Sequence, residues 1–210
     1  MLVGLGTWQV QRLHWKRAIL AQISQAEAGP PLPLSAISPP YSKVEVTGQF
    51  DRSRSALYGA EVRETREGPK LGAQLIEPLI RASAPAVLVD RGWVPLARKT
   101  PLNEAAGLVM ITGYVHPADK PGLFSPSDDV ANRTFYTLNP RKIGPALGLH
   151  DIMPFTLVAL GPQPTELWPD PAKHLPHPPN NHLSYAVTWY GLAAALVVIF
   201  LIWARRMLHA

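Results

Sequence analysis

The residues best suited to chemistry cluster at the mouth of one apolar run. Asn181-His182-Leu183-Ser184-Tyr185-Ala186-Val187-Thr188-Trp189-Tyr190 opens a stretch with no charged residue from 183 to 204, and Arg205-Arg206 stops it. A neutral imidazole nitrogen is a good metal ligand, so His182 is a candidate ligand. The same histidine also reads as an interfacial polar cap, and both readings stand on the residues alone. Tyr185, Trp189 and Tyr190 suit a membrane–water interface, with an apolar ring and a polar edge.

The other candidates are weaker. Arg91-Gly92-Trp93 has an electrostatic reading, in which Arg91 holds a carboxylate of a ligand or an acidic partner surface. It also has a structural one: a strand ends in a turn, Gly92 permits the bend and Trp93 fills core. His174 and His177 lie in a Pro-rich spacer without a nearby carboxylate, a setting more typical of solvent-exposed side chains than of a metal site. No Gly-x-Ser-x-Gly, His-Glu-x-x-His, P-loop or dinucleotide fingerprint occurs. The acidic residues form no pair that would mark an acid/base site. Cysteine is absent, which excludes disulfides, thiolate metal sites and covalent haem attachment. The net charge of +5 is spread without a dense block, which argues for solubility and membrane-surface bias and against nucleic-acid binding.

Several elements must position these residues. The uncharged run covers about 22 residues, or roughly 33 Å as a helix, enough to cross a hydrocarbon core of about 30 Å. The spacing predicts an N-terminal helix over residues 1–27, with Trp8, Trp15, Ile19 and Ile23 on one face and Gly29-Pro30-Pro31 ending it. Between the two helices, short alternating runs predict strands at 44–50, 71–80, 86–94, 108–116, 134–138 and 155–160, with Gly48 as a possible bulge. A short helix is expected over 141–149, and Pro121-Gly122 reads as the middle of a type II turn.

The expected fold class is an α+β membrane protein. An extramembrane antiparallel β domain, either a sheet or a partly closed barrel, lies between an N-terminal helix and a C-terminal transmembrane helix. The expected segments are helix 1–28, a Pro-rich linker 29–40, a β domain 41–161, a second Pro-rich linker 162–180 and the spanning helix 181–206. Arginines after the span place its C-terminal end inside, and so put the β domain on the outer side of the membrane. Moving such a domain outward calls for a preceding helix. Residues 1–6 therefore read as the tail of a first transmembrane segment that begins upstream; the rival reading is insertion by the C-terminal helix alone, which would leave the β domain in the cytoplasm.

Four segments together resemble the Surfeit locus protein 1 family. They are Leu5-Gly6-Thr7-Trp8-Gln9 with Arg12 and Lys16; Val89-Asp90-Arg91-Gly92-Trp93-Val94-Pro95; Pro121-Gly122-Leu123-Phe124-Ser125-Pro126; and Asn181-His182-Leu183-Ser184-Tyr185-Ala186 with Thr188-Trp189. Phe135-Tyr136 departs from the family, which more typically has a Trp there. The resemblance implies a non-enzymatic, two-helix protein of the inner membrane, bacterial rather than mitochondrial, that assists cytochrome c oxidase assembly. Its implied partners are oxidase subunit I, other assembly factors and the lipid bilayer. It implies haem a as a noncovalent ligand, with His182 on the iron; Trp189, Tyr185 and Arg91 are the further candidate cofactor-binding residues. At 100° per residue, Ala186, Trp189, Ala193 and Phe200 lie within roughly 40° of His182, so the two alanines leave room for a flat ring beneath the imidazole. On the opposite face Gly191 and Ala195 form a small-x-x-x-small pair, where the upstream first transmembrane helix is expected to pack.

Overall fold

The computed structural model describes residues 1–65, 67–97, 102–103, 107–122, 125–162 and 168–209. Leu123 and Phe124 of the third segment above lie outside the described residues. Two compact units emerge: Met1–Gln25 with Pro176–Ala210, and Ala26–Leu175.

The second unit is built on a sheet of eight strands. In chain order they are β1 (Leu32–Pro33), β2 (Lys43–Phe50), β3 (Ala56–Thr65), β4 (Gly68–Arg81), β5 (Ala84–Pro95), β6 (Val109–Pro117), β7 (Thr134–Phe135) and β8 (Ile152–Ala159). Their spatial order is β1-β2-β6-β8-β5-β4-β3-β7, and β2 also pairs with β4. That extra pairing joins the ends of the series β2-β6-β8-β5-β4, so the sheet is ring-like. The seam is short: only Gln49↔Ile80 and Phe50↔Leu79 are in register there. The expected antiparallel arrangement holds for most neighbours, but β5 and β8 run parallel, as do β1–β2 and β3–β7.

Alternation along the strands sends side chains to two separate cores. Val44, Val46, Leu79, Val87, Val89, Val115, Phe155 and Leu157 come from the five ring strands and pack with one another. Residues on the other face, Ala56, Ile76 and Leu88, pack with Phe135, Leu138 and Ile143. The last of these lies on a short helix, α2 (Pro140–Ala146), whose first turn is capped where the Asn139 side chain accepts from the Arg141 amide. Because β5 has a core on each side, it reads as a continuous apolar run instead of an alternating one.

Three expectations change here. Gly48 is not a bulge, since the β2–β6 register is unbroken through Gly48↔Val109. A Cβ there would lie 2.6 Å from the Ile80 carbonyl oxygen, so glycine is required where β4 crosses to close the ring. One of the sheet's bulges lies on β5, where Arg91 and Gly92 together oppose Leu75, between the pairs Gln74↔Trp93 and Ile76↔Asp90. Gly92 has φ +120° in mid-strand, and β5 continues through it to Pro95 instead of turning. Finally, Gly122 lacks the positive φ of a type II turn; its amide donates to Ser125 Oγ and its carbonyl accepts from the Ser125 amide.

The Pro-rich stretches are partly woven into this unit. Leu32 and Pro33 pair with Val44 and Glu45, and the 168–172 segment adds bridges Trp93↔Asp170 and Leu160↔Ala172. Strand β3 leaves no alternating apolar signal in the sequence, because only Ala56 is buried and its other side chains are half-buried or exposed without alternation.

The first unit contains most of α1 (Leu2–Ala28) and all of α3 (His182–Leu208). Helix α3 is long and apolar enough to cross a membrane. Ala186 is its one buried residue among those described, which fits a lipid-facing rod better than the core helix of a water-soluble domain. In α1, Gly6, Leu13 and Ile23 are buried, whereas Trp8 and Trp15 are half exposed. The two tryptophans share one face of α1 and flank Arg12, whose guanidinium lies 4.6 Å from the Trp15 ring centroid and 5.8 Å from that of Trp8.

Candidate functional site

His182 is the first residue of α3, and its ring is half-buried. Its Nδ1 lies 2.7 Å from Gln9 Oε1 on α1. Two turns further along α3, the Tyr190 hydroxyl is 3.0 Å from Thr7 Oγ1. The Tyr190 ring lies flat enough against α1 that a Cβ on Gly6 would approach its Cε1 and Cζ to 2.9 Å. Ala186 lies one turn from each of these residues, between His182 and Tyr190, and is 2% exposed. Small residues on both helices therefore allow the close approach, and two side-chain hydrogen bonds fix its register.

This geometry redraws the face expected to receive a flat ring. On a helical wheel with His182 at zero, Ala186 and Tyr190 fall at roughly +40° and +80°, toward α1. The ground over Ala186 is thus already occupied. Trp189 and Tyr185 fall at roughly −20° and −60°, on the flank turned away from α1. Trp189 is half-buried and Tyr185 is 54% exposed. The open approach to His182 therefore runs along that aromatic flank. Gly191, on another side of α3, has nothing within 4 Å of where its Cβ would be. Two hydroxyls near the mouth are engaged within α3, Ser184 donating to the Asn181 carbonyl and Thr188 to that of Ser184.

A histidine presented in this way fits the donor set of a haem axial ligand. An imidazole with Nδ1 engaged by an acceptor retains a lone pair on Nε2, and neutral imidazole nitrogen is what haem iron takes.

Arg91 lies in the β domain and has partners there. Its Nη1 donates to Glu77 Oε2 at 2.7 Å and its Nη2 to the Asn103 carbonyl at 2.8 Å. The guanidinium sits 4.6 Å over the Phe50 ring, and Arg91 and Glu77 are both buried, at 9% and 1% exposure. Glu77 thus neutralises Arg91. The clue in the sequence was Glu77 itself, an acid inside the apolar run of β4, where burial demands a counter-charge. Arg91 and Asn103 line one side of an open groove of about 690 Å³. Trp93 fills core as expected, at 1% exposure, with its ring edge-on to Trp168 at 5.3 Å.

Asp90, on the opposite side of β5 from Arg91, is buried, and its Oδ1 accepts from the Gly92 amide. Burial pushes its carboxyl up to about 7, against the opposing pull of that amide and of Arg63. Among the spacer histidines, His174 Nδ1 lies 2.9 Å from the Leu175 carbonyl, and His177 is exposed. The residue missed at the candidate site was Gln9. It stood within a recognised segment, but its proximity to His182 depends on two helices separated by more than 150 residues of chain.

The SURF1 family model matches residues 1–194. A SURF1-like protein of Rickettsia conorii is 34% identical over 98% of this chain and 88% of its own length. The SURF1-like protein of Rickettsia felis is 32% identical over 99% and 94%. Surfeit locus protein 1 of Gallus gallus is 30% identical over 98% and 71%.

Proposed function

Because this chain belongs to the SURF1 family, we propose that it is a membrane-anchored, non-catalytic assembly factor for cytochrome c oxidase. In this reading it holds haem a through His182 and aids its insertion into oxidase subunit I, in concert with other assembly factors. The observation that carries it is a half-buried imidazole at the first residue of a helix able to span a membrane, with one ring nitrogen already engaged. A porphyrin meeting His182 along the Trp189–Tyr185 flank would have aromatic surface beside it, and a hydrophobic tail would have the apolar length of α3. Haem is cargo here: the iron accepts the imidazole nitrogen, and one axial histidine without a covalent tether suits a group that must later be released.

Arg205 and Arg206 in the last turn of α3 favour a cytoplasmic C-terminal end. On that basis the protein resides in the bacterial inner membrane, with the β domain on the periplasmic side. Arg91 has no part in this version of the site, because Glu77 already neutralises its guanidinium.

Full-length protein purified in detergent, from cells that make haem a, should carry a Soret band that His182→Ala abolishes. An unchanged spectrum in that variant would refute ligation by His182. One observation favours a second reading, in which the protein clamps an oxidase intermediate and carries no haem. The His182–Gln9 and Thr7–Tyr190 bonds would in any case hold α1 and α3 together as a rigid unit. That reading predicts no Soret band even in the parent protein, with oxidase assembly still dependent on the helix pair.

A further inference from the structure

An amide carbonyl oxygen can only accept a hydrogen bond. With Gln9 Oε1 facing it at 2.7 Å, Nδ1 of His182 would carry the ring proton, which leaves the lone pair of the neutral imidazole on Nε2. The acceptor is itself well held. Gln9 lies two residues from Thr7, which is bonded to Tyr190, and three from Gly6, against which the Tyr190 ring packs. The α1–α3 pair thus fixes where Oε1 points, and through it the tautomer and rotation of the imidazole. Metal-bound histidines usually have such an outer partner on their second nitrogen, and it changes affinity without touching the metal.

We propose that Gln9 is a positioning residue for metal binding by His182, setting the tautomer that presents Nε2 as the donor. This rests on the reading of His182 as a haem ligand. The chemistry of the partner matters as well. A carboxylate in place of the amide would draw the Nδ1 proton more strongly and make the imidazole a more basic ligand. A neutral amide orients the ring while leaving the iron–nitrogen bond moderate, which suits a carrier. Gln9 thus acts on the cargo through another side chain, and its substitution should tune affinity in either direction.

The test uses the full chain in detergent and iron protoporphyrin IX as the titrant, with 15N spectra of the apo protein labelled at histidine. The parent should show His182 protonated at Nδ1 and bare at Nε2. Gln9→Leu should lose that tautomer bias and bind the porphyrin about 10- to 100-fold more weakly. Gln9→Glu should keep the bias and bind at least as tightly as the parent, with a shifted Soret maximum. Thr7→Val removes the other hydrogen bond between the helices but leaves Gln9 in place, and should change affinity less than threefold.

If His182→Ala abolishes binding while Gln9→Leu leaves affinity and tautomer unchanged, the role of Gln9 is overturned and ligation by His182 survives. If Thr7→Val weakens binding as much as Gln9→Leu, Gln9 acts only as a helix clamp and the proposal fails. If His182→Ala binds like the parent, the underlying reading falls instead.

Discussion

Removing the Arg91 side chain should expose what that residue does. Glu77 is 1% exposed, and its Oε2 accepts from Arg91 Nη1 at 2.7 Å. Arg91→Met would leave a buried carboxylate with no counter-charge, which costs about 3–5 kcal/mol. In a domain of this size each kcal/mol corresponds to a Tm shift of about 2–4 °C, so the variant should melt roughly 6–20 °C lower. The double variant Glu77→Leu/Arg91→Met removes both charges and should recover most of the loss, because an apolar pair of similar volume is often no less stable than a buried ion pair. Arg91→Met, Glu77→Leu and the double therefore form a cycle with a coupling of at least about 3 kcal/mol. Near-UV circular dichroism of the detergent-solubilised protein follows the transition through the buried Trp93. Haem content is read from the same samples in the folded range below the transition, where it should match the parent. A Tm within about 1 °C of the parent, accompanied by lost haem, would refute the argument and return Arg91 to the role of a ligand's anion partner.

Two further outcomes follow from β5. The Asp90 carboxyl is raised to about 7 in the folded chain, so between roughly pH 4 and 7 the folded state holds a proton that the unfolded state has lost. Its contribution to stability is fully present below pH 4 and is lost as pH rises, at about 1.4 kcal/mol per unit. Asp90→Asn should remove that slope, and denaturant melts across this range should show the variant gaining on the parent toward pH 8. Gly92→Ala would force a Cβ to within 2.1 Å of the Asp170 carbonyl oxygen at φ +120°. The expected loss is about 3 kcal/mol or more, read as a lower denaturation midpoint.

Much of the architecture could be read from residue order. The helix able to span a membrane was visible because a water-soluble domain rarely needs so long an uncharged run, stopped so abruptly by Arg205-Arg206. Most ring strands were visible because each carries an apolar run between turn residues. Strand β3 was invisible for the complementary reason: Ala60, Glu61 and Val62 face water, and the strand is held by its backbone pairing with β4. Parallel pairing of β5 with β8 could not be read either, since a fully buried strand looks the same whichever way its neighbour runs. At the candidate site, His182 and its aromatic companions followed from helical spacing. The helix seated over Ala186 did not, because a wheel drawn for one helix says nothing about which side its partner occupies. Gln9 and Glu77 are partners across long sequence separations, and only the folded chain shows whom they meet.

The ring of strands is fastened unevenly. Its β4–β5 and β2–β6 borders are long, whereas β2 and β4 meet over two residue pairs beside a glycine that has no side chain to defend the gap. A bracelet with a two-link clasp opens at the clasp. Thermal breathing in this domain should therefore start at Gln49 and Phe50, while the rest of the belt stays knitted.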